Sequence, residues 1–265
     1  MARSYVGFVG TKLVRFIRAI HALGAFALIT LGVIVSKFGT ARQIVLPLTL
    51  RQIDRAGLQL FPLATFLALG LGLIIIGQTV SVLTRVGADQ FLGTVMVTAV
   101  VRELGPLVTA LLLLARVGSA NVVELGTARA LGEVEAVEVL GIDPIHYFVV
   151  PRVIGMAVGM LALTIYLILG ALLSGYLWAF LQDVPLTPGD YFRQLAESLS
   201  GIDFVLLAAK TLCLGSGMAI ITCFYGLAQP LSIAQVSRAT VRAVGQSIVL
   251  FVVVEAFFIV IYLLV

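Results

Sequence analysis

The chain has 265 residues, of which 61% are hydrophobic and 11% are charged, with a mean hydropathy of +1.15 and a net charge of +4. Soluble domains carry about 25% charged residues, so this composition excludes an ordinary soluble protein and indicates an integral membrane protein. The isoelectric point of 9.3 does not indicate nucleic-acid binding, because the bases follow the distribution of a membrane topology. Long apolar runs without strict alternation predict helices rather than a barrel.

The N-terminal region, residues 1–55, is predicted to form an interfacial helix followed by a cytoplasmic connection. Apolar residues recur at helical spacing between Val9 and Ala27, and several bases occupy another arc of the same helix. The uncharged run from Ala22 to Ser36 is too short to cross a bilayer core of about 30 Å. We therefore expect residues 6–35 to form an elbow helix in the plane of the inner leaflet. A signal peptide is the alternative, although no small-x-small cleavage site follows this segment.

The remaining region, residues 56–265, is predicted to be a transmembrane domain of five helices. Five apolar runs are long enough to cross the bilayer. They are Ala56–Thr84, Gln90–Ala115, Val153–Gln182, about Phe204–Tyr225 and about Ala243–Val265. An odd number of spans places the two ends of this domain on opposite sides of the membrane.

Small residues within these runs predict close contacts between helices. The third run contains Gly155-x-x-x-Gly159 and Gly170-x-x-x-Ser174, and the first contains Gly70, Gly72 and Gly77. Such spacing lets two helix backbones approach closely, although glycine is common in transmembrane helices in any case.

A polar island, residues 116–152, separates the second and third runs. It contains Glu124, Arg129, Glu133, Glu135, Glu138 and Asp143. No proline occurs between Thr127 and Leu140, and only Gly132 interrupts this stretch. We therefore predict a helix over about 127–141 that ends at Gly141 and is stopped by Asp143-Pro144. An acidic helix on a cytoplasmic loop is suited to docking a separate motor protein.

The positive-inside rule orients the chain. With the N-terminus and the polar island inside, the bases on the cytoplasmic side are Arg3, Lys12, Arg15, Arg18, Lys37, Arg42, Arg51, Arg55, Arg116, Arg129, Arg152, Arg238 and Arg242. Only Arg85 and Arg193 remain outside, where Asp89, Asp183, Asp190, Glu197 and Asp203 are also expected. The island is therefore predicted to be cytoplasmic and the C-terminus external.

Four ionisable residues lie inside the predicted spans: Arg102, Glu103, Lys210 and Glu255. Each costs about 2.5–3.5 kcal/mol at the centre of a bilayer, so each is expected to face a partner or a wet cavity. Two interpretations stay open: ion pairs that fix helix packing, or a polar patch that lines a cavity and contacts a charged head group. Gln78, a polar interruption of the first span, is a further candidate for the border of that cavity.

The sequence contains no motif for covalent catalysis or energy conversion. A Gly-x-x-x-x-Gly-Lys-Ser/Thr phosphate loop is absent, so ATP is not expected to bind this chain in the usual way. No His-Glu-x-x-His motif occurs, and the two histidines, His21 and His146, are expected near the membrane surface. We therefore predict no catalytic residue, no metal site and no cofactor in this chain.

Five short motifs resemble the MlaE (YrbE-like) family of permeases. They are RELGPLVTAL from Arg102 to Leu111, ARVGSA from Ala115 to Ala120, ELGT from Glu124 to Thr127, EVLGIDP from Glu138 to Pro144 and VPRV from Val150 to Val153. The similarity in layout extends from about residue 45 to the end of the chain.

This resemblance implies the permease subunit of a bacterial inner-membrane ABC transporter that moves phospholipids between the inner and outer membranes and maintains outer-membrane lipid asymmetry. It implies a homodimer with cytoplasmic ATPase subunits, which bind ATP and Mg²⁺, and a periplasmic ring of MCE-domain lipid-binding subunits. A small STAS-domain protein is a frequent companion.

By the same resemblance, the helix at about 127–141 is the coupling helix, and the residues expected to contact the ATPase are Arg129, Glu133, Glu135 and Glu138. The residues expected at the lipid pocket are Gln78, Arg102, Glu103, Leu104, Lys210 and Glu255. Lipid as the cargo follows from the resemblance alone.

Two other functions remain open. A proton-coupled secondary transporter would use Glu103 or Glu255 as its proton site, although repeated halves with broken helices are not evident. A non-transporting membrane scaffold would account for the acidic loop without any cavity.

Overall fold

The computed structural model describes residues 21–36, 42–88, 91–181, 187–227 and 232–264, most of which are helical. The α-helices are α1 (His21–Ser36), α2 (Arg42–Ala56), α3 (Phe61–Leu71), α4 (Gly77–Arg85), α5 (Leu92–Met96), α6 (Gly105–Leu113), α7 (Ser119–Ala130), α8 (Glu133–Val139), α9 (Val150–Leu181), α10 (Pro188–Ser198), α11 (Gly201–Leu227) and α12 (Ile233–Leu264). A 3-10 turn, Leu58–Leu60, joins α2 to α3, and π-helical segments lie at Gly72–Ile76, Val97–Leu104, Leu114–Gly118 and Ile145–Val149.

Five helical rods are long and apolar enough to span a membrane, which confirms the prediction of an all-α integral membrane protein. They are Val45–Leu83, Leu92–Ala130, Ile145–Leu181, Gly201–Leu227 and Ile233–Leu264. Most of the rods extend beyond the uncharged runs that predicted them, because helical hydrogen bonding continues past the last apolar residue into the polar flanks.

Two helices precede the long part of the first span. α1 is apolar but shorter than a span, and its Phe26 ring contacts Phe224 of α11 edge-on, with 5.6 Å between ring centroids. α2, predicted only as part of a connection, is a helix whose Gln52 and Ala56 pack against α9. Residues 6–20 of the predicted elbow helix lie outside the described residues, and the position of this helix in the membrane plane stays a prediction.

Small residues bring α9 close to the first span, as the sequence predicts. A Cβ atom at Gly159 would lie 2.6 Å from the Cβ of Ala56, and one at Gly155 would overlap Gln52. Toward the other end of α9, Gly170 packs on Ala68, Gly72 on Ser174 and Gly77 on Trp178. The prediction is wrong for Gly70, where an added Cβ would meet no described atom within 4 Å. Glycine spacing alone does not show which face of a helix meets a neighbour.

Replacing Gly159 by Ala is expected to lower the free energy of unfolding by about 1–3 kcal/mol, because the added methyl group overlaps Ala56. Gly70→Ala is the matched control and is expected to be neutral or stabilising, since alanine favours the helix and its methyl group enters open space. Thermal unfolding of both purified variants in detergent measures the difference. Equal unfolding midpoints would contradict a tight contact between α2 and α9.

The polar island forms a hairpin of two helices rather than the single helix predicted over about 127–141. Gly132 adopts a left-handed conformation with φ 78°, which ends α7 and starts the seven-residue α8. The predicted stop is confirmed, because Gly141 has φ 77° and its N–H donates to the carbonyl of Glu138 at 2.9 Å. Asp143 Oδ1 then accepts a hydrogen bond from the N–H of Ile145 at 3.0 Å, at the start of the third span.

Candidate functional site

A charge cluster inside the bundle joins the second, fourth and fifth spans and consists of Arg102, Glu103, Asp203, Lys210 and Glu255. Lys210 lies at its centre and is 0% exposed. Its Nζ forms ion pairs with the carboxylates of Glu255 and of Glu103, the latter at 3.4 Å. The structure therefore brings together all four charged residues that the sequence places inside the spans.

The backbone of the second span supplies a further partner for Lys210. Pro106 has no N–H, so it cannot donate to the carbonyl four residues earlier, which belongs to Arg102. Lys210 Nζ donates a hydrogen bond to this oxygen at 2.7 Å. In a bilayer an unsatisfied carbonyl costs several kcal/mol, so the lysine and the proline complement each other. Arg102 and Glu103 themselves lie in a π-helical segment, a feature that is frequent at functional sites.

Asp203 also belongs to the cluster, whereas its sequence position predicted only that it lies on the external side. Its carboxylate is 1% exposed and pairs with Arg102, with Nε–Oδ1 at 2.8 Å and Nη2 donating to Oδ2 at 3.3 Å. Asp203 also accepts from the N–H of Ser200 at 2.9 Å, which caps the start of α11. A Ser-x-x-Asp pattern at a helix start indicates such a cap, but nothing local to it indicates a partner on another span.

Arg102 has an additional aromatic contact. Its guanidinium carbon lies 4.9 Å from the centre of the Tyr262 ring on α12, within the range of a cation–π interaction. Asp203 and Tyr262 lie in the first turn of α11 and the last turn of α12, so the cluster extends toward the end of the bundle that carries α10. The ion pairs support the interpretation that these charges fix helix packing. The Arg102 and Glu103 side chains are also partly exposed, which supports the interpretation that they line a cavity.

The two remaining residues predicted at the pocket lie in different places. Leu104 directly follows the charged pair and is half-buried. Gln78 is exposed and lies in a separate groove of about 390 Å³ that contains Arg85 and Trp178. None of the residues that line this groove belongs to the charge cluster, so the structure does not bring Gln78 together with the other five.

The four residues predicted to contact an ATPase lie on the α7–α8 hairpin. Arg129 of α7 pairs with Glu135 of α8, with 3.2 Å between Nε and Oε1, while Glu133 and Glu138 are exposed. Three further apolar side chains of this hairpin are exposed: Leu131 at the turn, and Val139 and Leu140 at the C-terminal end of α8. Val139 is 87% exposed and Leu140 is 75% exposed. Apolar residues before a helix-ending glycine ordinarily make hydrophobic contacts, so no signal in the sequence indicates this exposure.

Ion pairs connect this hairpin to two further spans. Glu124 of α7 accepts from Arg55 at the end of α2, with 2.5 Å between Nη2 and Oε1. The other oxygen of Glu124 lies 3.3 Å from Nη2 of Arg152, near the start of α9. Arg152 also donates to the carbonyl of Phe148 at 2.8 Å. A single carboxylate thus joins three helices at the end of the bundle that carries the hairpin.

Known proteins similar to this chain are membrane permeases. The family described as "Permease MlaE" matches residues 49–261. A probable ABC transporter permease protein of Rickettsia prowazekii is 27% identical over 255 residues, which cover 94% of this chain and 96% of that protein. A probable ABC transporter permease protein of Synechocystis is 31% identical over 205 residues, which cover 76% of each chain. The intermembrane phospholipid transport system permease protein MlaE of Haemophilus influenzae is 28% identical over 196 residues, or 69% of this chain and 73% of its own.

The matched region includes the charge cluster, the α7–α8 hairpin and nearly all of the five spans. The resemblance carried by the short motifs is therefore confirmed over most of the chain. These observations establish a multi-pass membrane permease, and the chain belongs to the MlaE permease family.

Proposed function

We propose that this chain is the transmembrane subunit of an ABC transporter that moves phospholipids between the inner and outer membranes and thereby maintains outer-membrane lipid asymmetry. The observation that carries the proposal is a partly exposed charge cluster inside the spans of an MlaE permease. Such a cluster offers polar contacts to a head group at a depth where the surrounding residues are apolar. The similarity to a phospholipid transport permease of Haemophilus influenzae supports the same cargo.

Energy for transport is proposed to come from separate ATPase subunits that bind ATP and Mg²⁺. The chain itself has no phosphate loop. The α7–α8 hairpin supports a docking role because acidic side chains and exposed apolar side chains occur together along α8 and at its C-terminal end. Interfaces of this kind combine an apolar anchor with a charged rim.

The proposed assembly is a homodimer in the bacterial inner membrane, with its N-terminus cytoplasmic and its C-terminus periplasmic. The excess of bases on the side of the hairpin supports this orientation. A periplasmic ring of MCE-domain subunits and a small STAS-domain protein complete the proposed complex.

Among the residues with a described position, no group of three or more His, Cys, Asp or Glu residues is arranged to hold a metal ion.

Two rival functions lead to different observations. A proton-coupled secondary transporter would use Glu103 or Glu255, which flank Lys210, and would transport without an ATPase. A scaffold would bind its partners through the hairpin and would hold no lipid in its spans. Membership in a permease family whose similar members are named ABC transporter permeases favours the ATP-driven function.

Photo-crosslinking at Leu104 tests the proposal. Leu104 lies beside the charge cluster, whereas Leu169 of α9 is exposed on the outside of the bundle and serves as the matched control. Phospholipid adducts are expected to be enriched at Leu104 and to respond to ATPase activity, while adducts at Leu169 are expected to be independent of ATP. Equal, ATP-independent labelling at the two positions would remove the case for a transport pocket.

A further inference from the structure

The ammonium group of Lys210 has no donor left for a lipid phosphate. Its nitrogen carries three N–H bonds, and three acceptors surround it: the carboxylates of Glu255 and Glu103 and the carbonyl of Arg102. The side chain is also completely buried. Although Lys210 is a cation within the spans, it functions as the internal partner of two carboxylates.

The second cation of the cluster is engaged as well. Arg102 forms a two-point ion pair with the buried carboxylate of Asp203, with contacts of 2.8 Å and 3.3 Å. The Nη2 contact is a charge-assisted hydrogen bond, which is stronger than a bond between neutral groups. The face of the Tyr262 ring lies 4.9 Å from the same guanidinium carbon. Arg102 keeps further N–H donors, but its positive charge is already balanced by Asp203, so its attraction for a phosphate is reduced.

The charges of the cluster do not balance once Asp203 is included. Two cations, Arg102 and Lys210, face three carboxylates, so the cluster carries one excess negative charge when all five groups are ionised. Asp203 and Glu255 are buried against their partners. Glu103 is the most exposed of the three carboxylates, at 32%, and its 3.4 Å separation from Nζ exceeds the closest Arg102–Asp203 contact of 2.8 Å.

We infer that Glu103 is the head-group contact of this site and that it selects phospholipids bearing a primary ammonium group over anionic phospholipids. This inference rests on the proposed transport function. A carboxylate accepts hydrogen bonds and donates none when ionised. A primary ammonium supplies both the N–H donors and the positive charge that balances the cluster, whereas an anionic head group would add to the excess negative charge.

The test measures which lipids copurify with the detergent-solubilised transporter complex from membranes that contain phosphatidylethanolamine and phosphatidylglycerol. The ratio of phosphatidylethanolamine to phosphatidylglycerol in the complex is expected to exceed that of the membrane by up to about fivefold, because one accessible ion pair contributes up to about 1 kcal/mol. Glu103→Gln is expected to bring the ratio back to that of the membrane. Glu103→Asp keeps the charge and is expected to retain much of the enrichment.

Glu197→Gln is the matched control, because Glu197 is an exposed glutamate on α10 and lies outside the cluster. It is expected to leave the lipid ratio unchanged. Two results would overturn the inference while leaving phospholipid transport intact. One is a ratio of the two lipids in the unsubstituted complex that equals the ratio in the membrane. The other is an enrichment of phosphatidylethanolamine that persists in Glu103→Gln. Absence of bound lipid together with equal crosslinking at Leu104 and Leu169 would instead overturn the proposed function itself.

Discussion

Replacing Lys210 by Met is expected to lower the free energy of unfolding by about 3–5 kcal/mol, the usual cost of removing one partner from a buried ion pair. The substitution keeps an unbranched side chain but removes the ammonium group that joins Glu103, Glu255 and the carbonyl of Arg102. The carboxylates would then face one another without a central cation, and the carbonyl opposite Pro106 would lose its donor. Thermal unfolding of the purified protein in detergent measures this loss.

A second substitution separates charge from packing. Lys210→Met combined with Glu255→Gln is expected to recover part of the stability, because the uncompensated charge is removed while the volume is kept. Arg193→Met on α10 is the matched control, since this arginine is exposed and its ion pairs lie at the surface. Its expected effect is no more than about 1 kcal/mol. An unfolding midpoint of Lys210→Met equal to that of the unsubstituted protein would contradict the central role of the lysine.

Reversing both charges with Glu135→Lys and Glu138→Lys is expected to reduce ATP-dependent lipid transfer about tenfold or more by weakening the contact with the ATPase. Two altered charge contacts at a partly exposed interface are together worth about 1–2 kcal/mol, which corresponds to roughly a tenfold change in binding. Transfer between vesicles by the reconstituted complex, measured together with copurification of the ATPase, gives the readout.

Glu138→Lys alone is the cleaner variant of this pair, because Glu135 also pairs with Arg129 within the hairpin. Leu140→Gln tests the apolar end of α8 without changing its charge. Glu197→Lys, at an exposed glutamate of α10, is expected to leave transfer unaffected. If the ATPase copurifies and lipid is transferred normally with the double charge reversal, the hairpin is not the docking element.

The polar positions inside the spans were predictable because burial of a charge in hydrocarbon is costly wherever it occurs. Arg102, Glu103, Lys210 and Glu255 stand out in the sequence for that reason alone, and all four meet in the structure. Asp203 was not predicted to belong to the cluster because it lies at the start of its helix, where a carboxylate is ordinary as a cap. Gln78 was expected with the charges on the basis of its polarity, yet its side chain lines a different groove.

In the hairpin as well, features that depend on neighbouring residues were easier to predict than features that depend on tertiary contacts. The helix end at Gly141 was predictable because glycine adopts a left-handed conformation readily. The helix break at Gly132 was not predicted, because a single glycine is tolerated within many helices. Val139 and Leu140 would ordinarily be expected to be buried, and only the structure shows that they are exposed at the end of α8.

The amino-acid sequence by itself determined the five spans, the polar island and the presence of unusual charges, because hydropathy and helix-ending signals depend on neighbouring residues. Tertiary structure alone decided that Lys210 meets Glu103 and Glu255, that Asp203 neutralises Arg102 and that Gly159 rather than Gly70 forms a close contact. Arg102 and Asp203 are 101 residues apart in the chain. Their pairing depends on how separate helices rotate and pack against each other, and helical periodicity within one span does not fix that rotation.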